Sequence, residues 1–435
     1  MSDPTASAPS GRIRPRERDS IVASLRAGVV PGIGQQHVQV GRIAEVQAVV
    51  ADITRIAEGG ASSRFVIGEY GSGKTFFLHL ARSVGLEKRL VTMHADLSPD
   101  RRLHASAGKA RALYAELTAN LATRARPEGG ALTSVVERFV TSVLGQASKT
   151  GADPETIIAT RLAALTESTG GYDFAQVIAR YWQGHDGGDE RLKTDAVRWL
   201  RGEFTTRADA KRALGVRTII DDATWYDHLK LMSSFVRMAG YDGLLVCLDE
   251  LVNLAELADV RVRAANYEQI LRIVNDGLQG TASYLGFLLG GTPDFLLDSR
   301  RGLFSQPALA TRLAENRFAS DKLIDHSGPV LRLDNLSPED IYVLLTKLRH
   351  VYASGNPAAY LVPDEALIGY MRHCASRIGD AYFRTPRETI KGFLDMLALL
   401  DQNPGLGWRS VIDAASPAPE PAGFAGDDEL SSFQL

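Results

Sequence analysis

Between two polar ends, the chain alternates stretches of helical periodicity with short unbroken apolar runs. "RDSIVASLRAGV" and "RIAEVQAVVADITRIAEG" repeat apolar residues every three or four positions, which predicts amphipathic helices. "RFVIG" is a short buried strand that stops on a glycine, and "RLVTMHADLS" is a second strand. From about Leu103 to Gly240 the pattern is mostly helical, broken at "RPEGG", "TGADPE" and "GHDGGDE". "GLLVCLDE" is a continuous apolar strand ending in two acids, and "SYLGFLLGGTPDF" is another strand ending in a polar turn. "PVLRLDNLSPED" reads as a last strand and a helix start, with Ser337 as N-cap, Pro338 in the first helical position and acids in the first turn. Helical periodicity then runs to about Leu400. Strands that are apolar throughout and separated by helices predict an α/β fold, a parallel sheet covered on both faces.

Composition narrows this little. The chain has 435 residues, 45% hydrophobic and 23% charged, as an ordinary globular protein does. The net charge of −3 excludes a molecule that attracts nucleic acid as a whole, so any such surface must be a local patch. Cys247 and Cys374 stand far apart in apolar surroundings, without metal-ligand spacing, and are expected to be small buried hydrophobes. No apolar run reaches the roughly 18 residues of a membrane helix, and the N-terminus has no apolar signal core. A cytoplasmic location without membrane contact is therefore expected. Residues 1–18 read as a disordered arm and 413–435 as a disordered acidic tail whose Phe433 and Leu435 could dock on a partner.

Chemistry enters at Gly68-Glu69-Tyr70-Gly71-Ser72-Gly73-Lys74-Thr75, a full match to the phosphate-loop pattern, placed after a strand and before a helix. Glycines let backbone N–H groups curl around an anion, and the helix start adds positive potential. Lys74 is expected on the β- and γ-phosphates of ATP, Thr75 on Mg²⁺, and Phe76 follows on the helix. Asp249 ends an apolar strand, so its carboxylate emerges at the sheet edge where such folds bind ligands, and there it would orient Mg²⁺. Glu250 follows as the candidate general base, an arrangement that favours hydrolysis. Thr292, where the next strand leaves the sheet, either senses the γ-phosphate or belongs to an ordinary Gly-Thr-Pro-Asp turn.

In their order, "VGR" (Val40, Gly41, Arg42), the phosphate loop, "LLVCLDE", "GGTPDF", "ALATRLAENR" and "TPRETI" resemble an AAA+ ATPase of the origin-recognition branch. The resemblance implies a P-loop NTPase domain over 19–332 with a helical insertion at about 103–240, and a helical lid at 333–412. It further implies that Val40, Gly41 and Arg42 lie against adenine and that Thr292 is sensor 1. Arg312, with Arg317 as competitor, would be the finger reaching a neighbour's γ-phosphate, and Arg387 would be sensor 2. Residue by residue Arg42 could instead pair with Glu45, Arg312 could be a surface helix arginine, and Arg387 a helix-start salt-bridge partner.

The wording of "GEYGSGKT", "DLSPDRRLH", "RALYAEL", "IVASLRAGVVPGIG" and "AVRWLRGE" is similar to the ATP-binding proteins of bacterial BREX phage-defence systems, BrxD type. That likeness implies an ATP-driven homo-oligomer working on double-stranded DNA beside a helicase or other defence protein. The alternatives are a nucleotide-controlled assembly switch with slow hydrolysis and, more distantly, a nucleotide kinase. Two departures stand out. Lys74 and Asp249 are farther apart than a compact core needs, and after the lid a short acidic tail is expected where origin-recognition proteins carry a winged-helix domain. In the insertion, Arg191, Lys193, Arg198, Arg201, Arg207, Lys211, Arg212 and Arg217 surround Trp199, but Glu190, Asp195, Glu203 and Asp209 are interleaved. That stretch is either a solvated face or a phosphate-contacting one.

Overall fold

The computed structural model describes residues 13–318, 325–378 and 386–414. The arm up to residue 12, and the tail from 415 with Phe433 and Leu435, lie outside the described residues. The last part of the expected arm is helical: α1 spans Pro15–Arg26. Pro15 in its first turn is already set for helical φ, and the Glu17 carboxylate accepts from the Arg14 N–H at 3.1 Å, closing the helix start. At the other end, residues 413 and 414 also belong to a helix.

Contacts divide the chain into two compact units. The first covers residues 41–335. Its elements are α2 (Ile43–Ala57), β1 (Ala61–Ile67), α3 (Lys74–Glu87) and β2 (Val91–Asp96), followed by an insertion of seven helices. These are α4 (Lys109–Ala119), α5 (Leu132–Thr150), α6 (Pro154–Thr166), α7 (Gly171–Gly187), α8 (Glu190–Leu200), α9 (Arg207–Leu214) and α10 (Trp225–Met238). The chain returns to the sheet with β3 (Leu244–Asp249), then α11 (Val252–Ala255), α12 (Val260–Gln279), β4 (Leu285–Gly291), α13 (Pro293–Leu297), α14 (Pro307–Arg312) and β5 (Val330–Arg332).

The five strands are parallel in the order β2-β3-β4-β1-β5. Alternate residues face opposite layers. Leu245, Cys247 and Leu288 join Val49, Ile53, Phe77 and Leu78 under α2 and α3. Leu244, Val246, Phe287 and Leu289 join Phe235, Tyr267 and the insertion. Both faces are covered, which is why these strands read as unbroken apolar runs. Cys247 and Cys374 are buried as expected, and burial pushes the Cys247 thiol up to about 12.

The insertion shares its core with the sheet. Phe139, Phe174, Trp199 and Phe235 form a chain of ring contacts with centroids 5.3 to 6.3 Å apart, within the same apolar cluster as β3 and β4. Trp199 is buried and its indole N–H donates to Thr218 O at 2.9 Å, so it packs as core. Five of the eight basic residues around it face carboxylates: Lys193 on Glu190 and Glu137, Arg198 on Asp195, Arg201 on Glu203, Arg207 on Asp221, and Arg212 on Asp209.

The second unit joins the described part of 13–40 to α15 (Pro338–Tyr352), α16 (Asp364–Ile378), α17 (Pro386–Gln402) and α18 (Trp408–Ala414). Residues 19–40, expected in the nucleotide-binding domain, belong here instead. Arg18 donates to Tyr352 O at 3.0 Å, Arg26 pairs with Asp395 at 2.8 Å, and Ile21 is fully buried. Ser337 caps α15 as its sequence predicts, accepting from the Asp340 N–H at 3.1 Å. Among the described residues, no helix is long and apolar enough to cross a membrane.

Candidate nucleotide site

The loop at 68–73 links β1 to α3 at the C-terminal edge of the sheet. Gly71 and Gly73 hold φ of 84° and 89°, a backbone region that side chains disfavour. A Cβ on Gly68 would come within 2.8 Å of Leu333 O. These are backbone demands, and they explain why the motif needs glycines at these places.

Lys74 begins α3, and its Nζ donates to the carbonyls of Gly68 at 2.7 Å and Glu69 at 2.9 Å, 5.4 Å from the centre of the exposed Tyr70 ring. Burial holds the Lys74 ammonium below its usual pKa, against opposing pulls from Asp249, Glu250 and Glu69. One residue on, Thr75 Oγ1 donates to Asp249 Oδ2 at 2.7 Å. Asp249 is only 7% exposed, and its other oxygen accepts from the Glu250 N–H at 2.9 Å. Two oxygen donors far apart in sequence thus meet at the start of the phosphate-loop helix, a donor set suited to a hard cation such as Mg²⁺.

Strand order makes this meeting possible. β4 lies between β1 and β3, so Asp249 must reach α3 across it. A Cβ on Gly290 would stand 2.4 Å from Asp249 Oδ1. Glycine there leaves the room the carboxylate occupies, a requirement the apolar pattern of β4 did not reveal.

Glu250 is exposed and has a left-handed backbone, φ 58°, unusual for a residue with a side chain. Burial, and next the charges of Asp249 and Asp96, raise its carboxyl above the ordinary range, with Lys74 opposing. Asp96 was not singled out in the sequence. It ends β2 in register with Asp249, and its carboxyl is raised by desolvation and then by Asp249. The signal was there: "HAD" ends its strand on an acid just as "CLD" does.

Thr292 is buried and is the N-cap of α13, its hydroxyl accepting from the Phe295 N–H at 3.2 Å. The turn role is therefore real, and the hydroxyl retains a proton to donate. Arg42, in left-handed conformation at the start of α2, donates to Ser72 O at 2.8 Å and Asp334 O at 2.6 Å, and lies 3.8 Å from Glu45. Its guanidinium is thus tied to the phosphate loop; the pairing with Glu45 also occurs, at longer range. Gly41 precedes it with φ 60°, and Val40 ends the 13–40 segment.

Arg312 ends α14, where its Nε donates to Asn275 Oδ1 of α12 and its Nη1 to Ala308 O at 3.0 Å. Arg317 is exposed in the turn that follows. Arg387 belongs to the second unit, exposed in the first turn of α17 with its aliphatic stem beside Gly28.

Over 117 residues, 26% of its length, the chain is 26% identical to an acetylesterase of Hypocrea jecorina, and the match spans 33% of that protein. So short a likeness carries no activity across. By contrast, residues 13–416 match the family described as BREX system ATP-binding protein BrxC/D, and the chain belongs to that family.

Proposed function

We propose that this BREX ATP-binding protein is a Mg²⁺-dependent ATPase of the AAA+ class, which assembles as a homo-oligomer on double-stranded DNA beside a helicase or another component of its defence system. Family membership supports ATP binding and a place among BREX components. The observation that carries the Mg²⁺-dependent ATPase reading is the 2.7 Å contact of Thr75 with Asp249, with Glu250 directly after it; the AAA+ class and assembly on DNA draw on the sequence resemblance.

In this reading Lys74 exchanges its bonds to the Gly68 and Glu69 carbonyls for the β- and γ-phosphate oxygens of ATP, and the loop N–H groups take the remaining phosphate charge. Thr75 and Asp249 hold Mg²⁺, which when bound neutralises phosphate charge. Glu250 accepts a proton from the attacking water as its oxygen bonds to the γ-phosphorus, and the bond from that phosphorus to the β-bridging oxygen breaks to release ADP. Thr292 donates its hydroxyl proton to the γ-phosphate, while Arg312 or Arg317 of a neighbouring copy and Arg387 stabilise the charge of the transition state. Val40 and Gly41 line the adenine.

Lys74→Ala is expected to weaken Mg-ATP binding by about 100-fold, from the loss of charge-assisted hydrogen bonds. Unchanged affinity would remove the phosphate loop as the site. A second reading, the assembly switch with slow hydrolysis, draws on the bonding of Arg312 within its own chain. Solution mass of the Glu250→Gln protein separates the two. Growth to a defined oligomer with Mg-ATP, greater when a duplex is added, supports the ATPase assembly; a monomer throughout supports a switch that recruits a different partner protein rather than copies of itself.

A further inference from the structure

Arg42 makes two hydrogen bonds that an adenine contact does not require. Its Nη2 donates at 2.8 Å to the carbonyl of Ser72, inside the phosphate loop, and at 2.6 Å to the carbonyl of Asp334, just beyond β5. Glu45 lies 3.8 Å from its other terminal nitrogen, and the side chain is only 12% exposed. The backbone at Arg42 is left-handed, φ 58°, a cost that a side chain bears only where its surroundings hold it.

The Ser72 carbonyl belongs to the peptide whose N–H is that of Gly73. A trans peptide is planar, so its C=O and N–H point in opposite directions. Turning Ser72 O to Arg42 therefore turns the Gly73 N–H away from Arg42. Gly73 has φ 89° and no Cβ, so by itself this peptide has little to stop it rotating. The neighbouring Ser72 N–H is bonded to Glu69 O at 3.1 Å, so the peptide before this one is held within the loop.

We propose that Arg42 is a positioning residue for the phosphate cradle: by holding Ser72 O, it presents the Gly73 N–H to a bound phosphate. The anchors at Asp334 O and Glu45 keep the guanidinium from following the loop. A planar guanidinium with several donors fits three acceptors at once, which a single ammonium does not. The proposal rests on the phosphate-loop reading above and assigns Arg42 to phosphate rather than to base.

The test compares Mg-ATP with tripolyphosphate, which has no base, by displacement of a fluorescent ATP analogue. Wild type, Arg42→Ala, Arg42→Lys and Lys74→Ala are measured, with a melting curve for each. Arg42→Ala is expected to lose about 10-fold in affinity for both ligands by the same factor, with Arg42→Lys recovering only part of it. A loss for ATP with tripolyphosphate unchanged would overturn the proposal in favour of an adenine contact. No loss for either ligand would also overturn it, as would a shared loss matched by a collapse of the melting transition in both Arg42 variants. Lys74→Ala identifies a separate failure: unchanged binding there would remove the phosphate loop itself, and the Arg42 proposal with it.

Discussion

At the C-terminal edge of the sheet, charges stand unbalanced. Asp96, Asp249 and Glu250 converge, two of them with raised carboxyl groups, Lys74 is partly desolvated, and Arg42 and Glu250 hold left-handed backbones. The core of the insertion around Trp199 differs. Buried rings meet tilted or edge to face, and most of the basic run beside Trp199 faces a carboxylate. Packing and paired charge are what stability alone produces. Strain and like charges brought together lower stability and persist where a ligand will use them. These features mark the edge of the sheet as the candidate site, and the paired charges beside Trp199 carry no such mark.

The strongest way to break this contrast is at Arg312. If it acts as a finger, Arg312→Ala spares ATP affinity and lowers turnover by about 10³-fold or more. Mixing it with Lys74→Ala protein then restores part of the rate, because the Lys74→Ala copy lends its Arg312 to the intact phosphate loop of its neighbour. Full turnover by Arg312→Ala alone would pass the role to Arg317. Next is Trp199→Ala, expected to cost about 3–5 kcal/mol of stability, seen in a denaturant titration, while the folded fraction keeps its ATP affinity.

A smaller effect sharpens the other side of the comparison. Because the Glu250 carboxyl is raised in the folded protein, its charged form is disfavoured there. The penalty is present above the ordinary carboxylate pKa and fades as pH falls through the two values. Glu250→Gln is thus expected to raise the melting temperature at pH 7–8, with the gain shrinking toward pH 4. A lower melting temperature at pH 7 would mean that Glu250 is a structural residue. The smallest effects are expected in the insertion, where Arg198→Ala and Arg212→Ala should each change stability by less than about 0.5 kcal/mol. Neither should alter the salt dependence of duplex binding, and a flatter slope in either variant would make this face a phosphate contact.

Much of this was legible from local pattern. All five strands, the phosphate loop and the Asp249–Glu250 pair follow from apolar runs and from what ends them. What was not legible depends on partners far apart in sequence. Periodicity shows which face of a strand is buried but not its neighbour, so the place of β4 between β1 and β3, and with it the demand on Gly290, emerged only in three dimensions. The same is true of α1, whose amphipathic pattern does not say which helices cover it, and which packs with α15 and α17. The bonds from Arg42 to Ser72 and from Arg312 to Asn275 are side-chain choices that no spacing rule predicts.

The most direct test of the account is phosphate release from Mg-ATP by wild type and Glu250→Gln, with ATP binding measured on the same samples. The account predicts near-equal binding and a turnover at least about 100-fold lower in the variant. Equal turnover by the two proteins would contradict it, since the acid pair beside Thr75 would then not be where ATP is cleaved.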